Sequence, residues 1–197
     1  MQITETNLKF SGALSNRSRT NYIILHHRAG DGDIKSIHNQ HLNQGYIGIG
    51  YHFYIRKDGS IYRGRPIQTV GAHCLNYNHN SVGICFEGNF EKDNINEKQI
   101  KAGTELIEYL KNKYPSAQVM GHRDLMATAC PGKNFPLSDI KSEKALNKEL
   151  TSANDITWEL SQMIKINDVD GFVKALDKAK RENSPLYFGL KKIVNGG

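Results

Sequence analysis

Two side chains that favour the same kind of metal ion stand eight positions apart in M-G-H-R-D-L-M-A-T-A-C-P at 120–131: His122 and Cys130. Imidazole and thiolate are preferred ligands of zinc, but a structural zinc knuckle uses closely spaced Cys pairs, which this stretch lacks. A third ligand has to come from far along the chain. The candidate is the His26-His27 pair that ends the apolar run Tyr22-Ile23-Ile24-Leu25. Two imidazoles and one thiolate leave the fourth tetrahedral position to water, which is the arrangement of a catalytic site. Thr128 adds a hydroxyl two residues before the cysteine.

Those residues need elements to hold them. Tyr22 to Leu25 reads as a short buried strand, and the ends of strands in α/β sheets are where sites are built. Gly30 to Asp33 is a turn cluster, and Asp33 can cap a helix whose face carries Ile34, Ile37, His38, His41 and Leu42. Histidines 38 and 41 are expected to line a packed helix face. Tyr51 to Ile55, Lys57-Asp58-Gly59-Ser60 and Ile61-Tyr62 read as a hairpin, with Tyr51, Phe53 and Ile55 on one face and His52 and Tyr54 on the other. Ser81 to Phe86 is a further strand with Val82, Ile84 and Phe86 alternating, and Glu87 lies at its end on the less apolar face. Asn96 opens a long helix that Tyr114-Pro115 stops, and Gln118 to Met120 is a brief strand leading to His122. Arg123 and Asp124 are expected to orient that histidine. Strands alternating with helices predict an α/β domain with a mixed central β-sheet flanked by helices.

The chain of 197 residues has room for that domain and a small second piece. Residues 1–140 are expected to form the catalytic domain, with 1–20 as an arm or short strand. Residues 141–155, rich in Lys, Glu, Ser and Asn, read as a linker, and 156–197 as a small helical C-terminal module, short enough at about 40 residues to need docking, a partner or a second copy. No apolar run approaches the roughly 20 residues of a membrane span. The N-terminus lacks a signal-peptide pattern, so synthesis in the cytoplasm is expected. Three cysteines without a close pair argue against a disulfide scaffold. The net charge of +6 suits an anionic polymer surface, but no basic run interleaved with aromatics suggests a nucleic-acid groove.

With these residues in place, positions 20–137 resemble the zinc-dependent N-acetylmuramoyl-L-alanine amidases of the phage-lysozyme type, whose fold peptidoglycan recognition proteins share. The matching stretches are I-I-L-H-H-R-A-G at 23–30, G-Y-H-F-Y-I-R-K-D-G at 50–59, G-A-H-C-L-N-Y-N-H-N-S-V-G-I-C-F-E-G-N-F at 71–90, and G-H-R-D…T-A-C-P-G at 121–132. They occur in family order. The resemblance implies zinc held by His26, His122 and Cys130, with His27 leaving its strand on the opposite face. It implies Tyr51 as the catalytic tyrosine, Thr128 in the place where relatives carry lysine or threonine, and His73 as a groove residue that contacts substrate. Glu87 is a rival to Tyr51 for handling the proton. Asn80 is a candidate for substrate contact, against the simpler reading of Asn78, His79 and Asn80 as turn chemistry.

The reaction implied is hydrolysis of the amide between N-acetylmuramic acid and L-alanine in peptidoglycan, by a phage or prophage endolysin made without a signal peptide and acting on the wall after release, with 156–197 as a module that binds the cell wall or dimerises. The alternatives are a cytoplasmic muropeptide-recycling amidase and a peptidoglycan-binding module without activity, which should have lost a ligand. A zinc protease is a third, and no H-E-x-x-H supports it.

Overall fold

In the computed structural model the residues described are 1–141 together with Val173, Lys174 and Asp177. The chain divides into two compact units, Met1–Ala145 and Leu146–Gly197. Apart from Lys141, Val173, Lys174 and Asp177, the expected linker and helical module lie outside the described residues.

The first unit is built on one six-stranded sheet. Its strands are β1 (Ile3–Thr4), β2 (Tyr22–His27), β3 (Phe53–Ile55), β4 (Ile61–Arg63), β5 (Ser81–Phe86) and β6 (Gln118–Gly121), in the spatial order β1-β4-β3-β5-β2-β6. β3 and β4 pair antiparallel and the other neighbours pair parallel, so the sheet is mixed as expected. The central strands β2 and β5 are almost continuously buried, which is why they read as apolar runs.

Helices cover both faces. On one side α2 (Glu97–Lys113) lays Leu106, Ile107 and Leu110 on Ile23, Leu25, Val82, Ile84 and Phe86. On the other side α1 (Ile34–Asn43) brings Ile34 and Ile37 against Ile49, Tyr54 and Cys85. Both helices start at the expected caps: Asp33 accepts from the Ser36 N–H at 2.8 Å, and Asn96 from the Gln99 N–H at 3.0 Å. A short helix, α3 (Leu137–Lys141), follows Pro136 and buries Ile140 in the α2-side core. Its single turn is too short for periodicity to reveal.

His38 and His41 serve packing, as expected. His38 Nδ1 accepts from the Ile49 N–H and His41 Nδ1 from the Gly50 N–H, at 3.2 and 2.9 Å. The two bonds fasten the glycine-rich stretch before β3 to α1. One expectation fails here. Tyr51 does not share a face with Phe53 and Ile55; it packs with the α1-side cluster, whereas they belong to the α2-side core. Strand alternation begins only at Phe53, so residues before it are not bound by the period of two. Among the described residues no helix is long and apolar enough to cross a membrane.

Candidate active site

Parallel pairing of β2 with both β5 and β6 aligns the ends of all three strands. His26 lies near the end of β2, and His122 opens the 3-10 turn that follows β6 directly. The loop carrying Cys130 is folded back on that turn: the Arg123 N–H donates to the Cys130 carbonyl at 2.8 Å, and Arg123 Nη1 to the Gly132 carbonyl at 2.6 Å. Asp124 Oδ2 accepts from the Gly121 N–H at 2.9 Å. Arg123 and Asp124 thus fix the backbone on which two candidate ligands stand.

The outcome is a cluster of His26, His122 and Cys130 whose ligand atoms all lie within 4.8 Å of one another. His26 Nδ1 is 3.7 Å from Cys130 Sγ. A tetrahedral zinc with ordinary bond lengths would separate a nitrogen and a sulfur by about 3.6 Å. The donor set and its spacing therefore fit zinc. His27, one residue on, is turned to the opposite face, where its Nδ1 accepts from the Phe90 N–H at 3.2 Å. Alternation along β2 separates the two adjacent histidines.

The electrostatics favour neutral imidazoles and, before any metal binds, a protonated thiol. Burial, reinforced by His122 and His27, holds His26 well below the usual imidazole value, and burial also lowers His122. Both shifts favour the neutral ring, the form that ligates. Burial pushes the Cys130 thiol up to about 11, although the His27 N–H, 3.4 Å from the sulfur, works in the opposite direction.

Tyr51 stands beside this cluster, its ring 5.1 Å from that of His26 and 5.7 Å from that of His41. Burial first, then the Cys85 and Cys130 sulfurs, raise its phenol well above the usual value. Thr128 is exposed in the Cys130 loop, with its hydroxyl oxygen accepting from the Cys130 N–H at 3.3 Å.

Three further candidates have partners of their own in the fold. Glu87 is 3% exposed. Its oxygens accept from the N–H groups of Gly32 and Lys57, each at 3.0 Å, and from Arg56 Nε at 3.2 Å. The carboxylate ties the end of β5 to the hairpin and to the loop before α1. His73 reaches the cluster from behind: it is buried, and both ring nitrogens are engaged, with His26 Nε2 at 3.0 Å and Ser81 Oγ at 3.4 Å. No ring nitrogen is left for substrate. Asn80 is 7% exposed and stands in the 3-10 turn Asn78–Asn80, where its N–H donates to the Tyr77 carbonyl. Turn chemistry is realised most fully at Asn78, whose Oδ1 accepts from the N–H groups of His73 and Cys74. The part played by Ser81 was not legible in the sequence, because it acts through His73, away from the ligand motifs.

Residues 16–133 match the family model of N-acetylmuramoyl-L-alanine amidase. The chain belongs to this family. The amidase is 36% identical to the endolysin of Klebsiella phage KP32 over 124 residues, which cover 58% of the chain and 82% of that relative. It is 35% identical over 127 residues to peptidoglycan-recognition protein SC1a of Drosophila melanogaster, covering 58% and 69%. Among solved structures it is similar to the N-acetylmuramoyl-L-alanine amidase LysC from Clostridium intestinale URNW, with 40% identity and a TM-score of 0.71, over 75% of this chain and 98% of that one. Family membership and the arrangement of His26, His122, Cys130 and Tyr51 thus concern the same unit of the amidase.

Proposed function

We propose that this amidase hydrolyses the bond between the lactyl group of N-acetylmuramic acid and the L-alanine of the stem peptide, with zinc held by His26, His122 and Cys130. The observation that carries the reading is the convergence of the three ligand atoms within 4.8 Å beside Tyr51. An amide is a poor electrophile and neutral water a poor nucleophile. Zinc, when bound, supplies an acidified water and polarises the carbonyl.

The chain's own residues supply the rest. Tyr51 keeps its proton and donates a hydrogen bond to the oxygen that gains charge as the amide carbon becomes tetrahedral. Thr128, exposed beside Cys130, offers a second hydroxyl to that oxygen or to the departing nitrogen. Glu87 takes no part, because Arg56 and two backbone N–H groups already hold its carboxylate. The protein acts as an endolysin on wall peptidoglycan after release from the cell that makes it. Residues 156–197 form a separate module that binds the wall or pairs two copies.

Digestion of purified peptidoglycan by wild type and Cys130→Ser, with mass spectrometry of the products and metal analysis of both proteins, tests the reading. Stem peptides beginning with L-alanine are expected from wild type alone, with about one zinc per chain that the variant loses. Intact wall with both proteins would overturn the assignment, and shortened peptides would indicate a protease. Removal of 156–197 should weaken wall binding or lower the oligomeric state; if neither changes, the role given to that module is wrong.

A further inference from the structure

His26 has two ring nitrogens, and only a bare one can bind a metal. Which one is bare depends on where the ring's single proton sits, and that is set by what the other nitrogen bonds to. A continuous file of side chains runs from His26 into the interior. His26 Nε2 is 3.0 Å from His73 Nδ1, His73 Nε2 is 3.4 Å from Ser81 Oγ, and Ser81 Oγ is 2.7 Å from the Tyr77 carbonyl oxygen.

The file has one fixed end. A carbonyl oxygen only accepts, so the Ser81 hydroxyl donates to Tyr77. The serine oxygen is then an acceptor for His73, which places the His73 proton on Nε2 and leaves its Nδ1 bare. That bare Nδ1 accepts from His26 Nε2–H. The remaining nitrogen of His26, Nδ1, has no proton and is the one that faces Cys130 Sγ at 3.7 Å.

The fold is shaped around the middle of the file. A Cβ on Gly83 would stand 2.6 Å from His73 Cγ, and one on Gly71 would stand 2.7 Å from His73 Nε2. Glycine at both positions makes room for the imidazole. Asn78 Oδ1 holds the His73 backbone N–H at 2.7 Å. Ring and main chain are therefore both fixed.

We propose that His73 is a positioning residue: with Ser81 and the Tyr77 carbonyl it sets the tautomer and orientation of His26, so that Nδ1 is presented to the metal before the metal arrives. This rests on the zinc site proposed above. Partners of this kind around a ligating histidine typically contribute 10–100-fold to metal affinity.

The test measures zinc affinity by competition with a chelator for wild type, His73→Phe, His73→Gln, Ser81→Ala and Cys130→Ser. Nitrogen NMR of the metal-free proteins reports the His26 tautomer. Wild type should show His26 protonated at Nε2. His73→Phe should show a mixture and bind zinc roughly 10–100-fold more weakly. His73→Gln, whose amide oxygen can accept from Nε2–H, should recover part of the affinity, which a merely space-filling role for His73 would not predict. Should His73→Phe fail to fold, Ser81→Ala carries the test, since freeing His73 to change tautomer should already disturb His26. Unchanged tautomer and affinity in His73→Phe and Ser81→Ala, beside tight binding by wild type, would overturn the proposal. Zinc binding by Cys130→Ser as tight as by wild type would instead overturn the metal site on which it rests.

Discussion

At the scale of single residues, the proposed chemistry leans on Tyr51. Burial favours the protonated phenol, and the role proposed for it is accordingly that of a hydrogen-bond donor. Tyr51→Phe removes one hydroxyl and little packing. The turnover rate on peptidoglycan should fall by about 10²–10³, the usual cost of one oxyanion donor, with zinc content unchanged. A rate within a few-fold of wild type would show that the hydroxyl is dispensable. Glu87, a rival by its place at a strand end, shows how open residue type leaves a role: a carboxylate there can be a base or a fastener, and only its neighbours decide. Arg56 and the Gly32 and Lys57 N–H groups make it a fastener.

At the scale of elements, that fastener joins β5, the β3–β4 hairpin and the loop before α1. Burial alone would raise the Glu87 carboxyl, but the Lys57 and Gly32 N–H groups and Arg56 outweigh it and hold the group below its usual value of 4.5. A folded-state value below the unfolded one contributes stability at higher pH, and that contribution is lost as pH falls through the folded value. Glu87→Gln should therefore cost about 2 kcal/mol near neutrality, typical of hydrogen bonds to a buried charge. The gap from wild type should close progressively below about pH 4.5. Denaturant unfolding of both proteins across pH 3–7 checks this, and a gap independent of pH would show that the carboxylate charge contributes nothing.

On the scale of the whole molecule, the proposed ligands join β2 to the region after β6, nearly a hundred residues further on. A metal that binds the folded state and not the unfolded one stabilises by mass action, by about 2.7 kcal/mol at a free concentration one hundred times its dissociation constant. Thermal unfolding of the amidase should shift upward with added zinc and downward with a chelator, and Cys130→Ser should respond to neither. Equal shifts in both proteins would place the stabilising metal elsewhere.

Much of this architecture is legible in the sequence, because it rests on local periodicity and local bonds. The buried run Ile23-Ile24-Leu25 has to be a covered strand. The caps at Asp33 and Asn96 satisfy N–H groups three residues away, and alternation along β2 sends His26 and His27 to opposite faces. The chemistry of His122 and Cys130 is equally local, since it lies in the ligand types themselves. What periodicity could not supply is the environment of a side chain outside a regular element. Tyr51 precedes β3 and escapes its alternation, so its place beside His26 is fixed by packing with α1 and not by sequence spacing. His73 looks like a residue for substrate until the structure shows both its nitrogens occupied. The sequence named the groups able to bind and donate. Only the tertiary structure decided which atoms of them are free, because a nitrogen or a carboxylate oxygen is available to a ligand only when no neighbour in the fold has already claimed it.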